Sequence, residues 1–456
     1  MYLNKIIFGL VLSATTIAVT AQERSLLGTK ATYLYTPAGV MPPPAGYAPV
    51  FVNHVGRHGS RFMTKAGADV AVLYWLEYAA KKDGLTNTGK ELLNMTRRFL
   101  SIEKGNYENI TLLGAKEQAA IGARVKTMYA TAFKGNGVDV VTTFKVRTQQ
   151  SANAFMQPFK DYKGTTHFTV TKETEDEMLR FYDLAPAYEA YTASAAVKQS
   201  LDSLEKDKRN SVAAAQVFSK IFTGQVATAL AAGKEEAEVN KKKIVFSPVA
   251  FADNLYDLYS ISGSFSEEMK RNNIPADSIN FSIAFSKTSL QWFAFKNGAS
   301  DFIEKGPAHD TFGVQVKIAA PLLVSFIKTT DSIVSHRVQK DAVLRFTHAE
   351  AISPFATLLG IRKASQPASS IFDYNKQWHP EEIIPLSANI QWILYTNGKE
   401  YLVKILLNEK PETIPVVTNT FPYYKWADVR AYYAGQLAKT GLAINGDTRQ
   451  FLQAVK

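Results

Sequence analysis

The chain has 456 residues, 46% of them hydrophobic and 20% charged, enough for two domains or for one large domain carrying an insertion. It contains no cysteine, which excludes disulfides, a thiolate nucleophile, a Cys-ligated metal and a cysteine-linked lipid anchor. The formal charge of +11 suits an anionic ligand, although many exported proteins are basic for solubility alone.

Lys5 precedes an apolar run over residues 6–19, and Val19-Thr20-Ala21 supplies small residues before Gln22. Residues 1–21 therefore read as a cleaved secretory signal, and the mature protein is expected to be periplasmic or secreted. The run is short for a membrane anchor and polar residues interrupt it; no later stretch reaches spanning length, so no stable membrane insertion is expected after cleavage. Proline clusters such as Met41-Pro42-Pro43-Pro44 make residues 22–47 irregular. An apolar approach over 49–54 then predicts a strand that runs into Arg57-His58-Gly59-Ser60-Arg61. Helices are expected over 66–80, 85–99 and 115–133, and a strand over 138–146 that ends at Arg147. Residues 22–160 form the first part of an α/β core on this reading. Over 161–307 the character changes to a mainly helical insertion, with helices at 193–208, 211–222, 225–239 and 247–262. The Lys241-Lys242-Lys243 run within it reads as a solvated surface. The α/β pattern resumes over 308–456. It holds a helix at 312–327, a strand at 342–347 leading into His348-Ala349-Glu350, and a helix at 351–360 with Pro354 near its first turn. Strands at 387–395 and 401–407 are joined by Thr396-Asn397-Gly398-Lys399, a strong hairpin signal. The expected fold is α/β: an open, mostly parallel sheet flanked by helices, with a large mainly α-helical insertion domain.

Two strand ends carry the chemistry. Arg57 and Arg61 flank His58, and guanidinium groups suit multidentate recognition of phosphate oxygens. A neutral imidazole beside them can attack phosphorus. Transfer from a monoester also needs further charge neutralisation and a proton for the leaving alkoxide. Arg147, at the second strand end, is a candidate third clamp. If strand geometry continues through His348-Ala349-Glu350, His348 and Glu350 share a face, so His348 can donate to phosphate while Glu350 protonates the departing oxygen. Taken singly, Arg147 is more often a surface residue, and a His-x-Glu more often an ordinary strand terminus. His54 stands four residues before His58, but Gly56 and the strand pattern argue against a helical zinc pair. His167, His309, His336 and His379 have no partner motif. No Walker loop, dinucleotide fingerprint or Gly-x-Ser-x-Gly elbow is present, and no nucleic-acid recognition motif accompanies the charge.

Arg57-His58-Gly59-Ser60-Arg61 followed by His348-Ala349-Glu350 resembles the acid phosphatase branch of the histidine phosphatase superfamily. Most of that branch has His-Asp at the second motif, and His-Ala-Glu is similar to the multiple inositol polyphosphate phosphatases, which are phytases. Ile110-Thr111-Leu112-Leu113-Gly114 with Gln118 and Gly122, Leu179-Arg180-Phe181-Tyr182-Asp183, Ile384-Pro385-Leu386-Ser387-Ala388-Asn389 and Leu406-Leu407-Asn408-Glu409-Lys410 resemble further segments of that family, in order along most of the mature chain. The resemblance implies a phosphomonoesterase acting on inositol polyphosphates, a small polyanionic substrate, without metal or organic cofactor. By that resemblance His58 would become the phosphohistidine, and Arg57, Arg61, Arg147 and His348 would hold the phosphate. Glu350 would donate the proton, with a further part in activating water. Arg180 would reach the substrate's other phosphates. A broad acid or sugar phosphatase is the alternative within this chemistry, and a non-catalytic binder of phosphorylated ligands the alternative outside it. The chain departs from the family at Met63, where Pro is common, and in lacking the disulfides that some members form.

Overall fold

The apolar run before the Arg-His-Gly motif becomes β1 (Ala48–Arg57), whose side chains are buried from Phe51 onward. The computed structural model describes residues 21–456 apart from 38, 40 and 240, so the expected leader lies, up to residue 20, outside the described residues. The other strands of the main sheet are β2 (Val138–Thr142), β3 (Thr166–Val170), β6 (Ala342–Thr347), β7 (Asn389–Thr396), β8 (Tyr401–Leu407), β9 (Lys410–Pro411) and β10 (Tyr423–Lys425). Their order is β10-β8-β7-β1-β6-β2-β3, with β9 on β8. β1, β6, β2 and β3 are mutually parallel, while β7 runs against β1 and β8 against β7. Five strands (β1, β2, β3, β6 and β8) thus share one direction, and the sheet is mixed but mostly parallel.

Register decides where a ligand can meet this sheet. Arg57 lies level with Thr347, and Thr142 with Phe346, so the carboxyl ends of three parallel strands stop within a residue of one another. In open α/β sheets that edge is where ligands gather. Side chains of β7 and β8 alternate between two cores. Ile390, Trp392, Val403 and Ile405 join the larger one, and Ile393, Tyr395, Leu402 and Leu406 the smaller. The helices Leu112–Met128 and Val146–Met156 cover the smaller core with Ile121, Val125, Ala152 and Phe155. They approach closely because Gly122 has no side chain: a Cβ there would stand 2.0 Å from the Phe155 carbonyl oxygen. The larger core is continuous from the sheet into the helices of the long β3–β6 segment, including Lys287–Lys305. Among the described residues no helix is long and apolar enough to cross a membrane.

Several elements differ from expectation for local reasons. β2 stops at Thr142, four residues early, and the helix Val146–Met156 already contains Arg147. The helix expected at 115–133 starts at Leu112, because the Thr111 hydroxyl accepts from the Gly114 amide as an N-cap. The helix expected to reach 239 ends at Ala231, and a hairpin of β4 (Glu236–Val239) and β5 (Lys242–Val245) follows, with Lys241, Lys242 and Lys243 exposed on it. The helix at 312–327 is split into Val314–Lys317 and Ala320–Val334, the second opening with Pro321 in its first turn. β3 carries the sheet past the expected core limit at residue 160. Pro354 sits at the sixth residue of the helix Ala349–Leu358 and not near its start, so no amide there bonds the Glu350 carbonyl.

Candidate active site

Where β1 ends, the Arg57 amide donates to the Ala388 carbonyl and the His58 amide to the Thr347 carbonyl. The His58 carbonyl accepts from the Ser387 amide. Strands on both sides therefore hold the motif by its backbone. Gly59 and Gly114 make the next turn possible: a Cβ on Gly59 would lie 2.6 Å from the Gly114 carbonyl oxygen, and one on Gly114 would lie 2.1 Å from that of Ser60. Glu117, buried one turn along the helix, accepts from the Ser60 amide at 2.9 Å, the Ser60 hydroxyl at 2.8 Å and the Ser387 hydroxyl at 2.7 Å. Gln118 donates to the Arg57 carbonyl at 2.9 Å.

The imidazole of His58 is buried, with Nδ1 at 3.0 Å from the Gly59 carbonyl oxygen. A carbonyl oxygen can only accept, so Nδ1 carries the proton and Nε2 keeps its lone pair. Burial pushes the His58 pKa well below its ordinary value, and the charges of Arg57, Arg147, His348 and Arg61 push the same way. The ring is therefore a neutral nucleophile ringed by cations.

His348 faces it, ring centroids 5.5 Å apart. Its Nε2 lies 3.1 Å from the Thr143 hydroxyl, and its buried Nδ1 has no partner among the described residues. Nδ1 is thus the ring nitrogen of His348 left open to a ligand. The buried Nε of Arg57 and the Nε and Nη1 of Arg147 are equally unpartnered. Arg57 spends Nη1 on the Thr29 and Ile384 carbonyls, both at 2.6 Å, which fixes its plane. Arg61 gives Nη1 to the Phe62 carbonyl at 2.8 Å, and burial beside Arg57 and Arg147 brings its pKa to about 10. Orphaned donors of like charge, packed this closely, are the signature of an anion site.

Glu350 stands at the rim, its side chain 38% exposed and paired at 3.2 Å with Lys305, which also pairs with Asp301 at 2.9 Å. Burial raises the Glu350 pKa, but Lys305, His348 and Arg57 outweigh it, and the net value lies well below the usual carboxylate range. Arg180 gives Nε to Asp183 at 2.5 Å, and its guanidinium lies over Phe144 and Tyr182 at 5.0 and 5.2 Å from the ring centres. Its charge acts on both Arg147 and His348. Among the described residues no group of three or more His, Asp or Glu side chains is placed to hold a metal ion. His54 is a core residue whose unpaired ring is packed against Phe155 and Phe346 and held neutral, its pKa about 3.

A family model for the histidine phosphatase superfamily (branch 2) matches residues 50–408. The chain belongs to that superfamily. It is 25% identical over 162 residues to the multiple inositol polyphosphate phosphatase 1 of Gallus gallus, a stretch covering 33% of this chain and 35% of that protein. The human protein of the same name matches at 28% over 109 residues, 22% of each chain. The chain thus spans only about a third, or less, of the length of these curated relatives. The crystal structure of the Bifidobacterium longum multiple inositol polyphosphate phosphatase with inositol hexasulfate has a TM-score of 0.78 at 23% identity, covering 90% of this chain and 97% of that one. The phytase of D. castellii gives 0.68 at 16% identity, covering 96% and 92%. At these identities the likeness is one of fold.

All seven residues singled out in the sequence reach this one region of the histidine phosphatase fold. Three arrive differently from expectation. Arg147 comes from the first turn of a helix and not from a strand end. His348 caps the helix Ala349–Leu358, and Glu350 lies in its first turn, so they do not share a strand face. A carboxylate at a helix N-terminus is favoured by the aligned peptide dipoles. Sequence reasoning missed Thr143, Glu117, Asp301 and Lys305. The last two sit on Lys287–Lys305, four residues apart at its end, and that spacing was the only available signal.

Proposed function

We propose that this chain is a phosphomonoesterase that removes phosphate from myo-inositol polyphosphates through a covalent phosphohistidine on His58. One observation carries the reading: a buried neutral imidazole, its Nε2 lone pair free, is surrounded by buried guanidinium and imidazole nitrogens that lack partners. Nε2 attacks phosphorus, the ester P–O bond breaks, and the departing alkoxide takes its proton from Glu350. Water then attacks the phosphohistidine, Glu350 takes the water proton, and inorganic phosphate leaves. Arg57, Arg61, Arg147 and His348 neutralise the phosphoryl oxygens as charge builds on them. Arg180, near the cleft but tied to Asp183, serves the substrate's outer phosphates. The family match and the inositol polyphosphate phosphatases among the relatives support the substrate class. The apolar leader supports a site working in the periplasm or outside the cell.

The test compares phosphate release from inositol hexakisphosphate, glucose phosphate and an aryl phosphate, with an alkaline quench to trap phosphohistidine. Inositol hexakisphosphate is expected to give the highest kcat/KM. His58→Ala is expected to abolish both turnover and the trapped intermediate while the substrate still binds. Preference for glucose phosphate would assign a sugar phosphatase, and near-normal turnover by His58→Ala would remove His58 from the chemistry.

A further inference from the structure

Glu350 acts twice in the proposed reaction, as an acid and then as a base, and an ammonium grips its carboxylate throughout. Lys305 is the last residue of the helix Lys287–Lys305, where the aligned peptide carbonyls favour a cation. Its side chain is only 13% exposed, and Asp301, one turn back and equally buried, anchors it at 2.9 Å. Nζ then reaches across to Glu350 at 3.2 Å. Among the described residues it is the one side chain ion-paired with that carboxylate. A fixed cation at the proton donor is an unexpected arrangement, because it favours the form of Glu350 that has no proton to give.

Resting on the phosphohistidine reading, we infer that Lys305, held by Asp301, is a positioning residue that fixes the Glu350 carboxyl at the cleft and sets the acidity at which it takes up its proton.

Charges from every packed element bear on Glu350. Its own helix brings His348, and the end of β1 brings Arg57 and Arg61. The Val146–Met156 helix brings Arg147. The segment after β3 brings Tyr182 and Asp183, followed by Tyr188. Glu304 lies beside Lys305 itself. Of the groups that lower the Glu350 pKa, Lys305 has the largest effect, ahead of His348 and Arg57. Lys305 stays charged throughout: burial lowers its pKa, but Asp301 and Glu350 more than reverse that.

The consequence has a definite sign. The acid step needs the protonated carboxyl, so kcat/KM for an alkyl ester falls as pH rises through the Glu350 pKa. Removing the neighbouring positive charge raises that pKa and carries the fall to higher pH. An aryl ester with a good leaving group needs little protonation and does not report the shift. In the second half-reaction the same ammonium keeps Glu350 in the carboxylate form that accepts the proton of water, so Lys305 lowers the fraction of Glu350 that carries a proton for the first step and raises the fraction ready as a base for the second.

The experiment measures kcat/KM against pH for inositol hexakisphosphate and for an aryl phosphate, in the wild type, Lys305→Met, Lys305→Arg and Asp301→Asn. Lys305→Met is expected to move the alkaline fall for the alkyl ester upward by about one to two pH units. The aryl ester should not follow, and Lys305→Arg should restore the wild-type profile. Asp301→Asn removes the carboxylate that holds Lys305 and should move the fall for the alkyl ester while leaving the aryl ester unmoved. A raised KM with an unmoved profile in Lys305→Met would make Lys305 a substrate contact and overturn the inference. Should Lys305→Met not fold, an unmoved profile in Asp301→Asn overturns it equally. If the wild type hydrolyses neither ester, the phosphohistidine reading itself fails, whereas an active wild type with unmoved variants sinks only the role of Lys305.

Discussion

At His58, one backbone carbonyl decides the chemistry: the Gly59 oxygen fixes the tautomer, and the surrounding cations keep the ring unprotonated. A few residues away, Met63 stands where the family commonly has Pro, and the structure shows what the amide it retains is used for. That amide donates to both carboxylate oxygens of buried Glu103, at 3.0 and 3.2 Å, a bond Pro could not make. Burial pushes the Glu103 pKa up to about 7; Asp69 adds to the rise, while the Met63 amide and Arg61 oppose it. A carboxyl whose folded pKa is raised contributes stability that is complete below its unfolded value of 4.5 and is lost as pH rises through about 7. Over that window the loss is on the order of 3 kcal/mol. Glu103→Gln keeps an acceptor for the Met63 amide and cannot ionise. Thermal melts at pH 5 and pH 8 should therefore show the variant gaining on the wild type at pH 8, and parallel melts at both pH values would count against this account.

Among the elements, the helix Leu112–Met128 does most to shape the loop, because its first turn touches the Arg-His-Gly backbone directly. Gly114→Ala should raise helix propensity yet drive a Cβ to 2.1 Å from the Ser60 carbonyl oxygen, so helix or loop must shift. Overpacking of this kind costs about 1–3 kcal/mol, and a displacement near 1 Å at the reacting groups can cost roughly a hundredfold in rate. The expected result is a modest drop in Tm with a much larger drop in kcat; equal, small effects on both would show that the loop is not held from this side. The same helix illustrates what the sequence made legible. Its apolar spacing and Thr111 were visible, whereas its start depended on a cap that competes with the preceding loop. β1, β6 and β8 stood out because buried strands read as near-continuous apolar runs. β3 did not, since it is an edge strand with Phe168 and Val170 exposed. Arg147 and Glu350 were found as residues but assigned the wrong backbone, because a strand-to-helix switch over two or three residues leaves no periodicity to read. Lys287–Lys305 carries aromatic residues round much of its surface, so it shows no single apolar face and Lys305 went unseen.

Across the whole molecule, 52 basic residues against 41 acidic ones give a charge that composition alone could not interpret. The fold supplies the interpretation by gathering Arg57, Arg61, Arg147 and Arg180 at the carboxyl edge of the parallel strands, with Lys305 facing them from the long β3–β6 segment. Such a field raises the encounter rate of a polyanion, and the gain falls as salt screens it. The Debye length shrinks from about 10 Å at 0.1 M to about 3 Å at 1 M, so charges that attract a ligand from solution lose most of their range. Contacts formed after entry are screened much less, since water and ions are excluded there. Raising ionic strength should therefore lower kcat/KM for inositol hexakisphosphate steeply and for a singly phosphorylated ester only slightly, with kcat for both nearly constant. A common slope for the two esters would mean that the charge of the fold serves solubility and that substrate choice is made by contacts inside the cleft alone.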